Sequence, residues 1–135
     1  MSRSLYPVTW AKFDESVGIL ARHFEQRHVR AVYGVHRGGL VLAVALSHAL
    51  RVPLVTEPGD GVLWVDDIVD SGSTMLPEIT ARPNGLRACL IRRGTHHPVK
   101  AAITITTPVW VVFPWESRHY AEIERAQYES RHTAG

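Results

Sequence analysis

Residues 63–74 read LWVDDIVDSGST, in which Asp66, Asp67 and Asp70 run into a turn of Ser71, Gly72, Ser73 and Thr74. The two halves of the stretch favour opposite charges. Carboxylates accept hydrogen bonds from hydroxyl groups, whereas a hydroxyl-rich turn with a glycine offers O–H and backbone N–H donors to an anion. A turn that leads into a helix adds the free N–H groups and partial positive charge of the helix start. One ligand satisfies both halves: a sugar phosphate, with vicinal hydroxyls on Asp66 and Asp67 and the phosphate on residues 71–74. Asp70 lies between them, placed to reach a group on the sugar's anomeric side. The plain alternative is a solvated acidic loop followed by a helix cap. The apolar run LWV that feeds straight into the acids weighs against it.

The surrounding elements must carry this stretch to a ligand. From Thr9 to His28 the apolar residues Phe13, Val17, Leu20 and Phe24 recur at spacings of four, three and four, which predicts an amphipathic helix capped by Thr9. RAVYGV (30–35) then reads as a buried strand, HRGG (36–39) as a turn and LVLAVALSHAL (40–50) as a helix. The pattern repeats with VPLV (52–55) as a strand, EPGDG (57–61) as a turn and VLWVDDI (62–68) as a strand. A loop and a short helix near 74–81 follow, with Pro77 tolerated only in the helix's first turn. LRACLIR, AAITITT and VWVVF read as further strands, and Ser117 caps a final helix through Tyr128. Apolar strands alternating with helices predict an α/β fold of three layers, a mostly parallel central sheet flanked by helices. Ligands of such sheets bind beyond the carboxyl ends of the strands, where HRGG and DDIVDSGST both fall.

Composition narrows the class. At 135 residues and 45% hydrophobic content the chain suits one domain, 1–135, with a real core. A net charge of +2 is too mild to imply nucleic acid, though it suits an anionic ligand. The single cysteine, Cys89, sits in the apolar run ACLI and reads as buried core; it excludes an internal disulfide and points to a reducing compartment. No apolar stretch reaches the roughly 20 residues of a membrane span, and the N-terminus lacks a signal-peptide pattern, so the expectation is a soluble, cytoplasmic protein with no membrane partner. None of the eight histidines forms an HExxH pair, which argues against zinc.

VDDIVDSGST resembles, position by position, the signature of the type I phosphoribosyltransferases, which bind phosphoribosyl pyrophosphate (PRPP). The resemblance implies that Asp66 and Asp67 bind the ribose 2′- and 3′-hydroxyls and that Ser71, Gly72, Ser73 and Thr74 hold the 5′-phosphate. Asp70 would handle the proton of the attacking nitrogen. GVHRGGL (34–40) looks like the family's pyrophosphate loop, with Arg37 a permanent, forked cation and Gly38 and Gly39 opening backbone N–H groups to the anion. For His36 a structural or backbone-only part is expected rather than a catalytic one. VWVVFPWE (109–116) is similar to the base-binding segment of the short xanthine–guanine and hypoxanthine–guanine members. By that likeness Trp110 stacks on the purine and the backbone of Val111 reads its edge, with Trp110 as a core strand residue the alternative. Trp115 reads as core. Those members carry a lysine for the purine's 6-oxo group; here the matching position in LIRRG is Arg93, or Arg92 one residue earlier. Residues 93–116 would then form the base-binding part.

The implied activity is transfer of the 5-phosphoribosyl group from Mg-PRPP to a nucleobase, a 6-oxopurine first, with release of pyrophosphate. That is a pentosyltransferase within the glycosyltransferases, acting in purine salvage. Its cofactor is Mg2+, held by Asp66, Asp67 and Glu116 but mostly through PRPP and water; its partners are PRPP and the base, in a monomer or homodimer. One departure stands out. The family's long mobile lid between the second strand and the PRPP motif is reduced here to TEPGDG (56–61). Two rivals therefore stay open: a non-enzymatic PRPP-sensing regulator on the same fold, and a phosphoribosyltransferase for a different base.

Overall fold

Thr9 closes the start of the first helix, its Oγ1 accepting a hydrogen bond from Lys12 N at 3.0 Å. In the computed structural model, which describes residues 3–133, the elements run β1 (Ser4–Pro7), α1 (Trp10–Phe24), β2 (Ala31–Gly34), α2 (Gly39–Leu50), β3 (Leu54–Val55) and β4 (Val62–Val69). A 3-10 turn (Ser73–Met75), α3 (Leu76–Ala81), β5 (Arg87–Arg93), β6 (Lys100–Ile105), β7 (Val109–Val112) and α4 (Arg118–Thr133) follow. The chain divides into two compact units, residues 14–106 and residues 1–13 with 107–135.

The larger unit holds a five-stranded sheet in the order β3-β2-β4-β5-β6. Every pairing in it is parallel. In β4 the residues Val62 through Asp66 are all buried, the continuous burial expected of a parallel strand covered on both faces. Leu42 and Leu46 of α2 are fully buried, as are Leu63, Val65, Leu90 and Ile91 of the sheet. Trp64, Val69, Met75, Cys89 and Val99 form a second cluster. Each such side chain contributes about 1.5–3 kcal/mol on full burial. α2 lies close because Gly34 has no side chain; a Cβ there would stand 2.7 Å from that of Ala43. β3 is shorter than VPLV suggests. Pro53 offers only its carbonyl, to Val32 N at 2.9 Å, and has no N–H for a ladder.

The order of strands creates a switch point. From β2 the chain goes through α2 to β3 on one side, and β4 then enters on the other side of β2. The carboxyl end of β2 therefore lies beside β4, with Gly34 level with Val65, and the chain leaves the two strands in opposite directions, toward β3 and toward β5.

The smaller unit is built on a two-stranded parallel sheet, β1 beside β7, with Leu5 level with Trp110. Phe113 and Trp115 stack at 4.8 Å with their rings 5° apart, and Phe13 meets Trp115 edge-on at 5.9 Å. Ser117 caps α4 weakly, its Oγ 3.4 Å from Tyr120 N.

Candidate active site

HRGG leaves the end of β2 and the acid pair lies within β4, which continues to Val69, and the two meet through the glycines. A Cβ on Gly38 would overlap the Asp67 carboxylate, and one on Gly39 would stand 2.7 Å from the Val65 carbonyl oxygen. Only glycine lets this turn lie against the acids. The peptide between His36 and Arg37 is cis, and both side chains are exposed.

Asp66 and Asp67 lean on the backbone beyond them. Asp67 N donates to Asp66 Oδ1 at 2.8 Å and Ile68 N to Asp67 Oδ1 at 2.8 Å. Asp66 is 8% exposed, Asp67 half-buried. Burial, and then the hydrogen bond and charge of Asp67, push the Asp66 carboxyl well above the usual carboxylate range. Burial thus favours the neutral form of Asp66, and a cation beside it would favour the charged one.

Past the acids, residues 66–75 and Trp64 line a cavity of about 290 Å³. Gly72 turns the chain in the left-handed region, at φ +86°, into the 3-10 turn and α3. Ser71 Oγ and Ser73 Oγ are 3.0 Å apart, Ser73 N donates to Ser71 Oγ at 3.3 Å, and Ser71, Ser73 and Thr74 are exposed. α3 spans only Leu76–Ala81, so donors for a phosphate come from the loop's hydroxyls and amides more than from a helix dipole.

Asp70 stands at the mouth, exposed, with its Oδ2 3.5 Å from Arg93 Nε. This separates the two arginines of LIRRG. Arg92 is spent inside the sheet, on the Val99 carbonyl and on Thr104 Oγ1, each at 3.1 Å. Arg93 is the one beside Asp70.

Sequence reasoning missed His97, whose Nε2 is 2.7 Å from the Asp70 carbonyl oxygen. The doublet His96-His97 before Pro98 signals a loop, but nothing in it signals which loop it touches. Trp110 and Val111 belong to the smaller unit. There the Trp110 ring packs on Tyr128 at 5.3 Å and Val111 is buried, so their implied roles rest on the resemblance alone. Glu116 Oε1 accepts from Phe113 N at 2.8 Å, closing its own turn. Among the described residues no group of three or more His, Cys, Asp or Glu side chains could hold a metal ion. Cys89 is fully buried and burial pushes its thiol up to about 12, in keeping with a core residue. No helix among the described residues is long and apolar enough to cross a membrane.

No family model matches the chain. Curated relatives do. The xanthine-guanine phosphoribosyltransferase of Cereibacter sphaeroides is 31% identical over 115 residues, covering 64% of this chain and 69% of the relative. That of Gluconobacter oxydans is 26% identical over 140 residues, covering 82% of this chain and 83% of the relative. The purine phosphoribosyltransferase of Pyrococcus horikoshii Ot3 matches with a TM-score of 0.70 at 29% identity, covering 84% of this chain and 95% of that one. The chain belongs to the type I phosphoribosyltransferases, enzymes of the glycosyltransferase class. The Gluconobacter alignment also shows a difference in length. Its 140 positions exceed the 135 residues of this chain although only 82% of the chain takes part, so the relative carries residues that this chain lacks.

Proposed function

We propose that this enzyme transfers the 5-phosphoribosyl group of Mg-PRPP to a 6-oxopurine. The observation that carries the choice of base is the Arg93–Asp70 pair, 3.5 Å apart beside the cavity that Asp70 helps to line. In a 6-oxopurine the oxygen O6 and the nitrogen N7 share one edge. Arg93 can only donate, which suits O6, and the Asp70 carboxylate can take the proton from N7. An adenine would set its own 6-amino donor against Arg93, a mismatch that costs a buried donor its partner.

The remaining roles are those that the family likeness implies. Asp66 and Asp67 accept the ribose hydroxyls, and Ser71 through Thr74 hold the 5′-phosphate. Arg37, with the backbone of Gly38 and Gly39, receives the pyrophosphate as the C1–O bond breaks and the C1–N bond forms. The electron pair of the broken bond leaves with pyrophosphate, and the proton of the base passes to Asp70. The acid pair also fits a divalent cation, since repulsion between its carboxyls is relieved by positive charge; bound magnesium would supply charge neutralisation of the pyrophosphate.

The test is pyrophosphate release from Mg-PRPP with hypoxanthine, guanine, xanthine, adenine and uracil. The expected result is turnover with one or more 6-oxopurines at least roughly 100-fold above adenine in kcat/KM. Arg93→Leu should raise the KM for that purine about tenfold or more. Turnover confined to adenine or uracil would overturn the choice of base. Tight Mg-PRPP binding without turnover on any base would favour a PRPP-sensing regulator, a reading that the short 56–61 turn supports.

A further inference from the structure

We propose that His97 is a positioning residue for the phosphate loop, fixing the Asp70 carbonyl and the left-handed turn at Gly72 in the geometry that receives a phosphomonoester. The inference rests on the phosphoribosyl reading above and adds to it a residue from a different part of the chain. β5 and β6 are parallel, with Ala88 level with Lys100 and Arg93 level with Ile105. Residues 94–99 must therefore return from the carboxyl end of one strand to the start of the next, a span too short for a covering helix. They run as a strap whose backbone is tied down: Arg87 Nε donates to the Pro98 carbonyl at 2.9 Å, and Arg92 Nη1 to that of Val99 at 3.1 Å.

On this anchored strap the His97 ring faces the loop. Its Nε2 lies 2.7 Å from the Asp70 carbonyl oxygen, and because a carbonyl only accepts, Nε2 carries the hydrogen. Its Nδ1 and Cε1 would stand 2.8 Å from a Cβ on Gly72, so the ring rests on the one backbone position at φ +86°. The ring of His96 packs against it at 4.0 Å. Asp70 is thus held at both ends, its carboxylate by Arg93 at the end of β5 and its carbonyl by His97 on the strap that follows.

Planarity of the peptide turns this grip into a function. The 70–71 carbonyl and N–H point in opposite directions, so fixing the carbonyl on His97 aims the Ser71 N–H away from it. The cavity is lined by residues 66–75 and Trp64, with His97 outside that lining, so the histidine acts through the loop and not by touching the ligand.

Calorimetric titration of the full chain with ribose 5-phosphate, inorganic phosphate and Mg-PRPP tests this, using His97→Ala and His97→Gln. Gln keeps an N–H donor near the position of Nε2. The Ala variant should bind ribose 5-phosphate and Mg-PRPP roughly three- to tenfold more weakly, the worth of one lost hydrogen bond. The Gln variant should recover most of the loss. In turnover the Ala variant should raise the KM for PRPP and leave the KM for the base unchanged. Inorganic phosphate weakened in the same proportion supports the assignment to the phosphate group. Unchanged affinity in the Ala variant overturns the proposal, and so do equal losses in both variants accompanied by a lowered Tm, which would mark a merely structural strap. Failure of the wild-type chain to bind Mg-PRPP would instead overturn the phosphoribosyl reading, and this inference with it.

Discussion

Asp66 is buried against Asp67 and holds its proton far above the range of an exposed carboxyl. Linkage turns that into a pH dependence of stability. A carboxyl whose folded pKa lies above its unfolded value binds more protons in the folded state, so the stability it contributes is full below the unfolded value and is lost as pH rises through the folded one. Asp66→Asn, which cannot ionise, should remove that loss. We expect its Tm to exceed that of the wild type by a few degrees at pH 8 and to match it near pH 3. The same substitution should weaken Mg-PRPP by about 1.5–3 kcal/mol above pH 8, where the Asp66 carboxyl is ionised and its hydrogen bond is charged. Thermal melts across pH, with calorimetry, check both. A destabilised Asn variant at pH 8 would show that the charged Asp66 is already paired and that burial does not control it.

At the scale of the element, the proposed phosphate loop depends on β4, which delivers it to the end of the sheet, and on Gly72, which turns it back. Gly72 combines a left-handed backbone with the His97 ring resting on its Cα side. Gly72→Ala meets both obstacles: about 1–2 kcal/mol for an L-residue in the left-handed region, and a Cβ 2.8 Å from the imidazole. The expected outcome is a loss of at least that much stability in denaturant melts, together with sharply weaker ribose 5-phosphate binding. An Ala variant that binds ribose 5-phosphate as well as the wild type would show that the loop tolerates another turn. Gly38 and Gly39 do parallel work in HRGG, where the constraint is close approach to Asp67 and Val65.

For the molecule as a whole, the feature that bears on catalysis is the short turn between β3 and β4, residues 56–61. Residues 56–61 are tied in place: Arg30 N donates to the Gly61 carbonyl at 2.8 Å, Arg30 Nη2 to that of Asp60 at 3.1 Å, and Val62 N to that of Gly59 at 3.2 Å. A turn this short and this anchored cannot close over a substrate. Closure in enzymes of this kind keeps water from the cationic sugar. We therefore expect slow transfer with a measurable share of PRPP hydrolysed to ribose 5-phosphate when base is scarce. The product ratio of nucleotide to ribose 5-phosphate across base concentrations measures it, alongside the oligomeric state. Fast turnover without hydrolysis in a demonstrated monomer would refute the argument; in an oligomer it would mean that a second subunit supplies the cover.

What the sequence determined by itself was local. The α/β alternation, the cap at Thr9, the glycines of HRGG and the run DDIVDSGST are legible because period, turn chemistry and capping act between residues a few positions apart. β1 was not legible, since four residues ending in proline carry no pattern and are ordered by pairing with β7, more than a hundred positions away. VWVVF read correctly as a strand, but its membership of a separate sheet depends on register, which is a tertiary property. The same holds at the site. Arg93 beside Asp70, His97 on a carbonyl 27 residues upstream, and the shifted carboxyl of Asp66 exist only once parallel strands bring their ends together and exclude water. Residue types fixed which chemistry was available; the fold decided which groups share it, because hydrogen bonds and desolvation act through space and not along the chain.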